Sequence, residues 1–392
     1  MSNENIKEWS PSKKWNPFNS YKLLAQVPRW ELIQRNKSIP QPVLVTVDPV
    51  NMCNLKCSWC NAHSILESNT SMLSRKSLLR IADFLTVWQG TKKWPKGVET
   101  ICIAGGGESL LNPYIDEFIE VCIAKGIEVG VVTNGTLIDK HLEALSKCTW
   151  VGVSIDAGTR QTFANAKGAD LFDKVISNIK KLIDYSEEHD TKLALKKQGY
   201  GVSYKYLLHS SNMSEIYTAA EIAKRVGCRN FHMRPAGIPW SDIQNEKRKD
   251  FFKFTPDVIK KFKAEVNKAR KLESEEFGIF GITHKFDNKF NPANFFSNCY
   301  AIFMTGVFMP GTDGNEDSIN FGLCCDKRGD PEVLLEENIV DPKIIAESWG
   351  GKKHAGIFEK IKVDRCPRCT YQPHNQIYEH VIKDDSMTYK FI

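Results

Sequence analysis

Three cysteines stand within eight residues, Cys53, Cys57 and Cys60, in the run Cys-Asn-Leu-Lys-Cys-Ser-Trp-Cys. Three soft thiolates on one loop can grip three irons of a cubane cluster and leave the fourth iron open to an outside ligand. A tetrahedral structural zinc would need a fourth ligand instead, and His63 is the only local candidate. A second group, Cys299, Cys324, Cys325, Cys366 and Cys369, lies toward the C-terminus. Four thiolates complete the sphere of a second cubane or of a zinc ribbon. The adjacent Cys324 and Cys325 are not expected to bind together; Cys324, which ends the apolar approach Phe-Gly-Leu, is the expected ligand. Twelve cysteines spread in this way over 392 residues do not form the disulfide frame of a small secreted domain.

The first cysteine group follows at once on PVLVTVDPV (42–50), a short apolar, β-branched run that predicts a buried strand. Beyond it SRKSLLRIADFLTVWQG has apolar residues at helical spacing, and VETICIAGGGE is a strand entering a glycine turn. YIDEFIEVCIAKGIEVGVVTNG reads as a helix, a glycine stop and another strand. The alternation continues through WVGVSID, LFDKVISNIKKLIDYSEEH, the strand-like KLALKKQGYGVSYKYLLH, SEIYTAAEIAKRVG and NFHMRPAG, giving about six βα units between residues 42 and 237. Such units build a parallel sheet with right-handed crossovers and put the chemistry at the C-terminal ends of the strands. They are too few to close an eight-stranded barrel. The fold class is therefore α/β, a partial (β/α)6 barrel with a small cysteine-rich α+β C-terminal domain. The expected organisation is a lead over 1–41, the barrel over 42–237, a helical linker over 238–295, the cysteine-rich domain over 296–371 and a tail over 372–392. Cys102, Cys122 and Cys148 fall within apolar runs and read as core residues.

Hydrophobic residues make up 42% of the chain and charged residues 26%, a globular balance that excludes disordered and collagenous classes. Against 47 Asp and Glu stand 53 Lys and Arg, a net charge of +6 with the signs interspersed. That falls short of the clustered basic stripe of a nucleic-acid-binding chain. No apolar run is long enough to span a membrane, and the polar N-terminus has no apolar stretch behind its lysines. A cytoplasmic protein with no membrane partner is expected.

With an aromatic, Trp59, before its last cysteine, and placed at the end of the first strand of a βα series, C-x3-C-x2-C resembles the signature loop of the radical SAM enzymes. Gly106-Gly107-Glu108 ends a later strand as that family's glycine-glycine-glutamate motif does, with Ser109 where proline is usual. VVTNGTLI (131–138) and VGVSIDAGTRQTF (151–163) are similar to the family's next two strands, and the match runs in order over about residues 42–237. The resemblance implies a catalytic [4Fe-4S] cluster on Cys53, Cys57 and Cys60 whose open iron takes S-adenosylmethionine. A reductant such as flavodoxin or ferredoxin would supply the electron that cleaves the sulfonium to a 5'-deoxyadenosyl radical.

The same resemblance implies that Gly106 and Gly107 let the strand end approach the methionine moiety and that Glu108 accepts from its ammonium. Ser154 and Asp156, alternate residues on one strand, would meet the ribose or carboxylate, and Trp59 would lie beside the adenine. Asn134 and Arg234 are expected at strand ends facing the same mouth, as cofactor contacts or as structural polar groups. Cys228, just before the last barrel strand, reads as core or surface; reaching the cavity, it would be a hydrogen-atom donor like the cysteine of some family epimerases. Cys299, Cys324, Cys366 and Cys369, with the glycine-rich GTDGNEDSINFG between the first two, resemble a twitch or SPASM-type extension holding one auxiliary [4Fe-4S] cluster. No cysteine follows Cys369 to hold another.

Fold and cofactor leave the substrate open. The leading expectation is hydrogen abstraction from a polar small molecule, sugar-like or aminocyclitol-like, giving oxidation or epimerisation. The alternative is modification of a ribosomal peptide or a protein side chain. A lead of about forty residues reads as too short for a separate leader-peptide-binding domain, yet its aromatics Trp9, Trp15, Phe18, Tyr21 and Trp30 suit a docking surface. A zinc-bearing nucleic-acid-binding protein is the reading from another class, and it leaves the glycine-glycine-glutamate strand end unexplained.

Overall fold

Strands β1 (Leu44–Val47), β2 (Thr100–Ile103), β3 (Glu128–Thr133), β4 (Trp150–Ser154), β5 (Gly201–Leu208) and β6 (Asn230–Pro235) pair in chain order, every neighbour parallel. The computed structural model describes residues 25–34, 39–68, 70–88, 97–236, 255–281, 296–363, 366 and 369–383. Helices such as Arg75–Val87, Ile115–Ala124, Phe172–Glu188 and Ile216–Arg225 make the crossovers, and each buries one apolar stripe on the sheet. Ser74 caps the first of these by accepting from the Ser77 amide. Among the described residues no helix is long and apolar enough to cross a membrane.

The sheet extends beyond the six expected strands at both edges. Within the segment expected as a linker, helix Pro256–Ala269 is a further crossover, and β7 (Gly278–Gly281) pairs parallel with β6, Asn230 opposite Gly278. At the other edge β8 (Thr305–Pro310) pairs parallel with β1, Leu44 opposite Thr305, and β9 (Ile319–Gly322) and β10 (Leu334–Ile339) follow antiparallel. The resulting ten-stranded sheet has the order β10-β9-β8-β1-β2-β3-β4-β5-β6-β7 and does not close. The cysteine-rich region is thus hydrogen-bonded into the barrel sheet through β8. The stretch Lys192–Gln198, read as strand-like, forms two short 3-10 turns, and β5 begins only at Gly201.

Burial differs between the two faces of the parallel strands. Val45, Val47, Ile101, Ile103, Val151 and Val153 lie buried under the helices. Their alternating neighbours Cys102, Val132, Ser154, Lys205 and Arg234 are half-buried and face inward. Cys102, expected in the core, therefore belongs to the lumen, because its strand alternates and its position is on the inner face. Cys122 and Cys148 are core residues. A closed eight-stranded barrel fills its interior with side chains; this open one keeps solvent access.

Trp30 is fully buried, its ring 4.3 Å from that of Tyr378. The other lead aromatics, Trp9, Trp15, Phe18 and Tyr21, lie outside the described residues.

Candidate metal and cofactor site

The cysteine loop leaves the C-terminal end of β1 and is held from three sides. The C-terminal turn of helix Arg160–Lys167 presents its free carbonyls to it: Lys56 N–H donates to Lys167 O at 3.1 Å and Ser58 N–H to Ala166 O at 2.9 Å. Gly168, at φ 70°, ends that helix in the left-handed conformation and lies directly against Lys56. From β3, Asn134 donates to Asn54 Oδ1 at 2.8 Å and reaches the Cys53 sulfur at 4.0 Å. From the glycine turn after β2, Glu108 N–H donates to Met52 O at 2.7 Å.

That last contact explains the glycines. A Cβ on Gly107 would collide with the Met52 main chain, and one on Gly106 would come within 2.6 Å of Asn51 Oδ1. The close approach that requires glycine here is between the turn and the cysteine loop.

Glu108 is 3% exposed. Its Oε1 accepts from Thr133 Oγ at 2.5 Å and Leu110 N–H at 3.3 Å, and its Oε2 from Asn134 N–H at 2.7 Å. Each oxygen has two acceptor sites, so Oε2 keeps one for an incoming ammonium. Burial pushes the carboxyl up from its ordinary range, and these three donors pull it back toward the anion.

Asp156 accepts from protein donors on both oxygens. It is fully buried at φ 61°, and Lys167 Nζ and Trp59 Nε1 donate to its Oδ2 at 2.6 and 3.3 Å while Leu207 N–H donates to Oδ1 at 2.7 Å. It works as a joint that fixes Trp59 and Lys167. Trp59 stacks on His209, centroids 5.0 Å apart, and packs with Ala166, Ala236 and Leu207, an apolar wall at the β5 and β6 ends. Ser154 lies on the inner face opposite Lys205, and Arg234 opposite Leu207.

Lys167 is the residue that sequence reasoning missed. Its side chain is 4% exposed and paired with Asp156, and its charge acts on both Cys57 and Cys60. Burial pushes the Cys57 thiol up to about 11 and raises Cys60; Lys167 opposes both shifts, and Arg328 opposes that of Cys60. The signal lay in Gly168, a helix stop that turns the last lysine inward.

His63 points away from the cysteines to Glu67, 3.0 Å distant, on an exposed helix face. Among the described residues no three His, Cys, Asp or Glu side chains converge on a single ion. The donor set, three soft thiolates beside two cations, fits a cluster that brings its own bridging sulfides.

In the second cysteine group Cys324, just after β9, is close enough to Cys325, Cys299 and Cys369 to be raised by them, and Cys369 by Cys299 and Cys366. Asn375 reaches the Cys299 sulfur at 4.0 Å. The Cys325 sulfur lies 3.4 Å from Tyr371 Oη and is close enough to Cys102 to raise it. Arg328 ties this segment to the barrel: it donates to Cys325 O and forms a buried ion pair with Asp48, the residue after β1.

Cys228 precedes β6, at the strand ends opposite the cysteine loop, and is buried in the core, its thiol pushed up to about 12 by that burial.

Residues 47–194 match the Radical SAM superfamily. Over 245 residues the chain is 27% identical to the antilisterial bacteriocin subtilosin biosynthesis protein AlbA of Bacillus subtilis, covering 58% of this chain and 48% of that one. It is 23% identical over 199 residues to a probable GTP 3',8-cyclase of Saccharolobus islandicus, covering 48% and 56%. The chain thus spans about half the length of the curated relatives it matches. Among solved structures, Streptococcus suis SuiB bound to the precursor peptide SuiA superimposes with a TM-score of 0.59 at 15% identity, covering 98% of this chain and 83% of SuiB. The structure of anSMEcpe with bound AdoMet gives 0.55 at 17%, covering 84% and 89%. These two superpositions establish a shared fold.

Proposed function

We propose that this chain, whose residues 47–194 match the Radical SAM superfamily, is a radical SAM enzyme that modifies a peptide or protein side chain. When bound, the cluster and S-adenosylmethionine together supply a 5'-deoxyadenosyl radical, and the protein's part is binding and orientation. Cys53, Cys57 and Cys60 hold the cluster, Lys167 offsets its thiolate charge, Glu108 receives the ammonium on Oε2, and Trp59 lines the adenine side. Cys299, Cys324, Cys366 and Cys369 hold one auxiliary [4Fe-4S] cluster, and a flavodoxin- or ferredoxin-type protein is the reductant.

The observation that carries the peptide reading is the relative with the highest identity named above, a protein of bacteriocin biosynthesis, together with a superposition on a precursor-peptide complex that takes in nearly all of this chain. The first expectation, a sugar-like or aminocyclitol-like substrate, has less support: of the relatives named above, the probable GTP 3',8-cyclase is the one named for a polar small molecule, and it matches at lower identity. The test is anaerobic, with S-adenosylmethionine and dithionite: 5'-deoxyadenosine is followed with and without short peptides encoded beside the gene. Stimulation together with a mass change in one peptide supports the proposal. Stimulation by monosaccharides or aminocyclitols alone restores the first expectation. The Cys53→Ala, Cys57→Ala, Cys60→Ala variant makes no 5'-deoxyadenosine if the site is assigned correctly.

A further inference from the structure

Among the described residues, Lys205 inside the barrel meets no carboxylate. Lys205 extends from β5 across Gly152 of β4 and sets its ammonium 4.9 Å from the centre of the Trp150 ring. Two glycines make this arrangement possible. A Cβ on Gly152 would overlap the Lys205 side chain, and a Cβ on Gly130 would overlap the Trp150 ring. The groups whose charge acts on it are another cation, Arg234 on β6, and the Cys102 thiol. Among the described residues no carboxylate pairs with Lys205. The Lys167 ammonium, by contrast, meets Asp156.

An ammonium withdrawn from water and faced by a like charge is costly unless something offsets it. Burial and Arg234 together pull the Lys205 ammonium down to about 8. An aromatic face offsets only part of that cost. Yet Lys205 is half-buried, not sealed, and so are Ser154 and Arg234, so the lumen has room beside it. A structural lysine needs no pair of glycines on adjacent strands to clear its path, and an aliphatic residue would fill the lumen at less cost.

We propose, resting on the peptide reading above, that Lys205 binds a carboxylate of the substrate inside the lumen, from an Asp or Glu side chain or from the peptide's C-terminus. The Trp150 ring fixes the ammonium's direction, and the carboxylate supplies an anion that Lys205 does not find among the described residues. A charge-assisted hydrogen bond in a half-buried lumen is strong enough to select acidic over amide ligands.

The test is competitive acetylation of the anaerobically reconstituted full chain with acetic anhydride at pH 8, read by peptide mapping. Three probes are compared: N-acetyl-glutamate amide, N-acetyl-glutamine with a free C-terminal carboxylate, and N-acetyl-glutamine amide. The expected result is acetylation of Lys205 that is slowed severalfold by one or both carboxylate probes and not by the neutral amide, with exposed Lys140 unaffected throughout. Protection by the first probe alone assigns the side-chain source, and by the second alone the C-terminal source. Equal protection by all three, protection by none, or a Lys205 that never reacts overturns the proposal. Failure of the peptide reading is seen separately, because it appears in the 5'-deoxyadenosine assay and leaves carboxylate protection intact.

Discussion

Arg328 and Asp48 join the two cysteine-bearing segments through one buried ion pair. Asp48 stands between β1 and the first cysteine loop, and its carboxylate accepts from Arg328 Nε and, at 3.4 Å, from Arg328 Nη2. The backbone of Gly106 also donates to it. The other arm of the guanidinium holds Cys325 O, next to the expected ligand Cys324. Burial pushes the Asp48 carboxyl up and Arg328 pulls it down. One fork therefore fixes the end of β1, the glycine turn and the second cysteine group relative to one another.

Removing one partner of such a pair leaves the other charge buried and uncompensated, which costs about 3–5 kcal/mol. Arg328→Met is expected to lose stability of that order in urea unfolding. The Asp48→Asn, Arg328→Met double variant is expected to lose less than the sum of the two single changes. Additive losses would mean that the two residues do not act as a pair.

His354 makes stability depend on pH. Its ring is fully buried; Nδ1 accepts from Gly350 N–H at 3.0 Å and Nε2 faces Ile302 O at 3.2 Å, so the neutral form is the one the fold satisfies. Burial lowers it to about 4 from an ordinary 6.5. The unfolded chain therefore takes up the proton first as pH falls. This contribution is complete above pH 6.5 and is lost progressively down to pH 4. Between pH 7 and pH 5 the loss is about 2 kcal/mol. His354→Gln is expected to flatten this part of the pH dependence of the urea midpoint. An unchanged slope would show that other groups produce it.

Periodicity and spacing carried the outline of this fold because each barrel strand alternates and each crossover helix repeats its apolar stripe. The cysteine loop and Glu108 were readable for a different reason: their chemistry depends on residues close together in the chain. Lys167, Lys205 and β7 were not. Lys167 looks like a solvated lysine in RQTFANAK until the helix stop at Gly168 is packed on Lys56. Lys205 sits in a strand whose inner face is decided by register with Ser154 and His232. The β7 strand has only four residues, two of them glycine, and is strand only because β6 lies beside it. Asp156 was named for its spacing, and nothing local reveals that Lys167, Trp59 and Leu207 donate to it.

Gly107→Ala tests whether the glycine turn positions the cysteine loop. The added methyl would strike Met52, and the loop must yield because both sides of the contact are main chain. A displacement near 1 Å at a reacting centre costs about a hundredfold. Reductive cleavage of S-adenosylmethionine is expected to fall by that order while the melting temperature changes little. Cleavage at the original rate would mean that the turn and the loop move independently.

The two adjacent cysteines are expected to separate cleanly by iron analysis. Cys324 is close to Cys299 and Cys369, and the Cys325 sulfur lies beside Tyr371 Oη and near Cys102. Two cubanes bring about eight irons to the chain, and loss of the auxiliary one leaves about four. Cys324→Ser is expected to give the lower figure after anaerobic reconstitution and to keep 5'-deoxyadenosine formation without substrate. Cys325→Ser is expected to retain the full complement, because Cys324 is the residue expected to join Cys299 and Cys369 while the Cys325 sulfur is taken up by Tyr371. If Cys325→Ser loses iron and Cys324→Ser does not, the ligand assignment is reversed. The lumen wall beside Cys102 would then belong to Cys324.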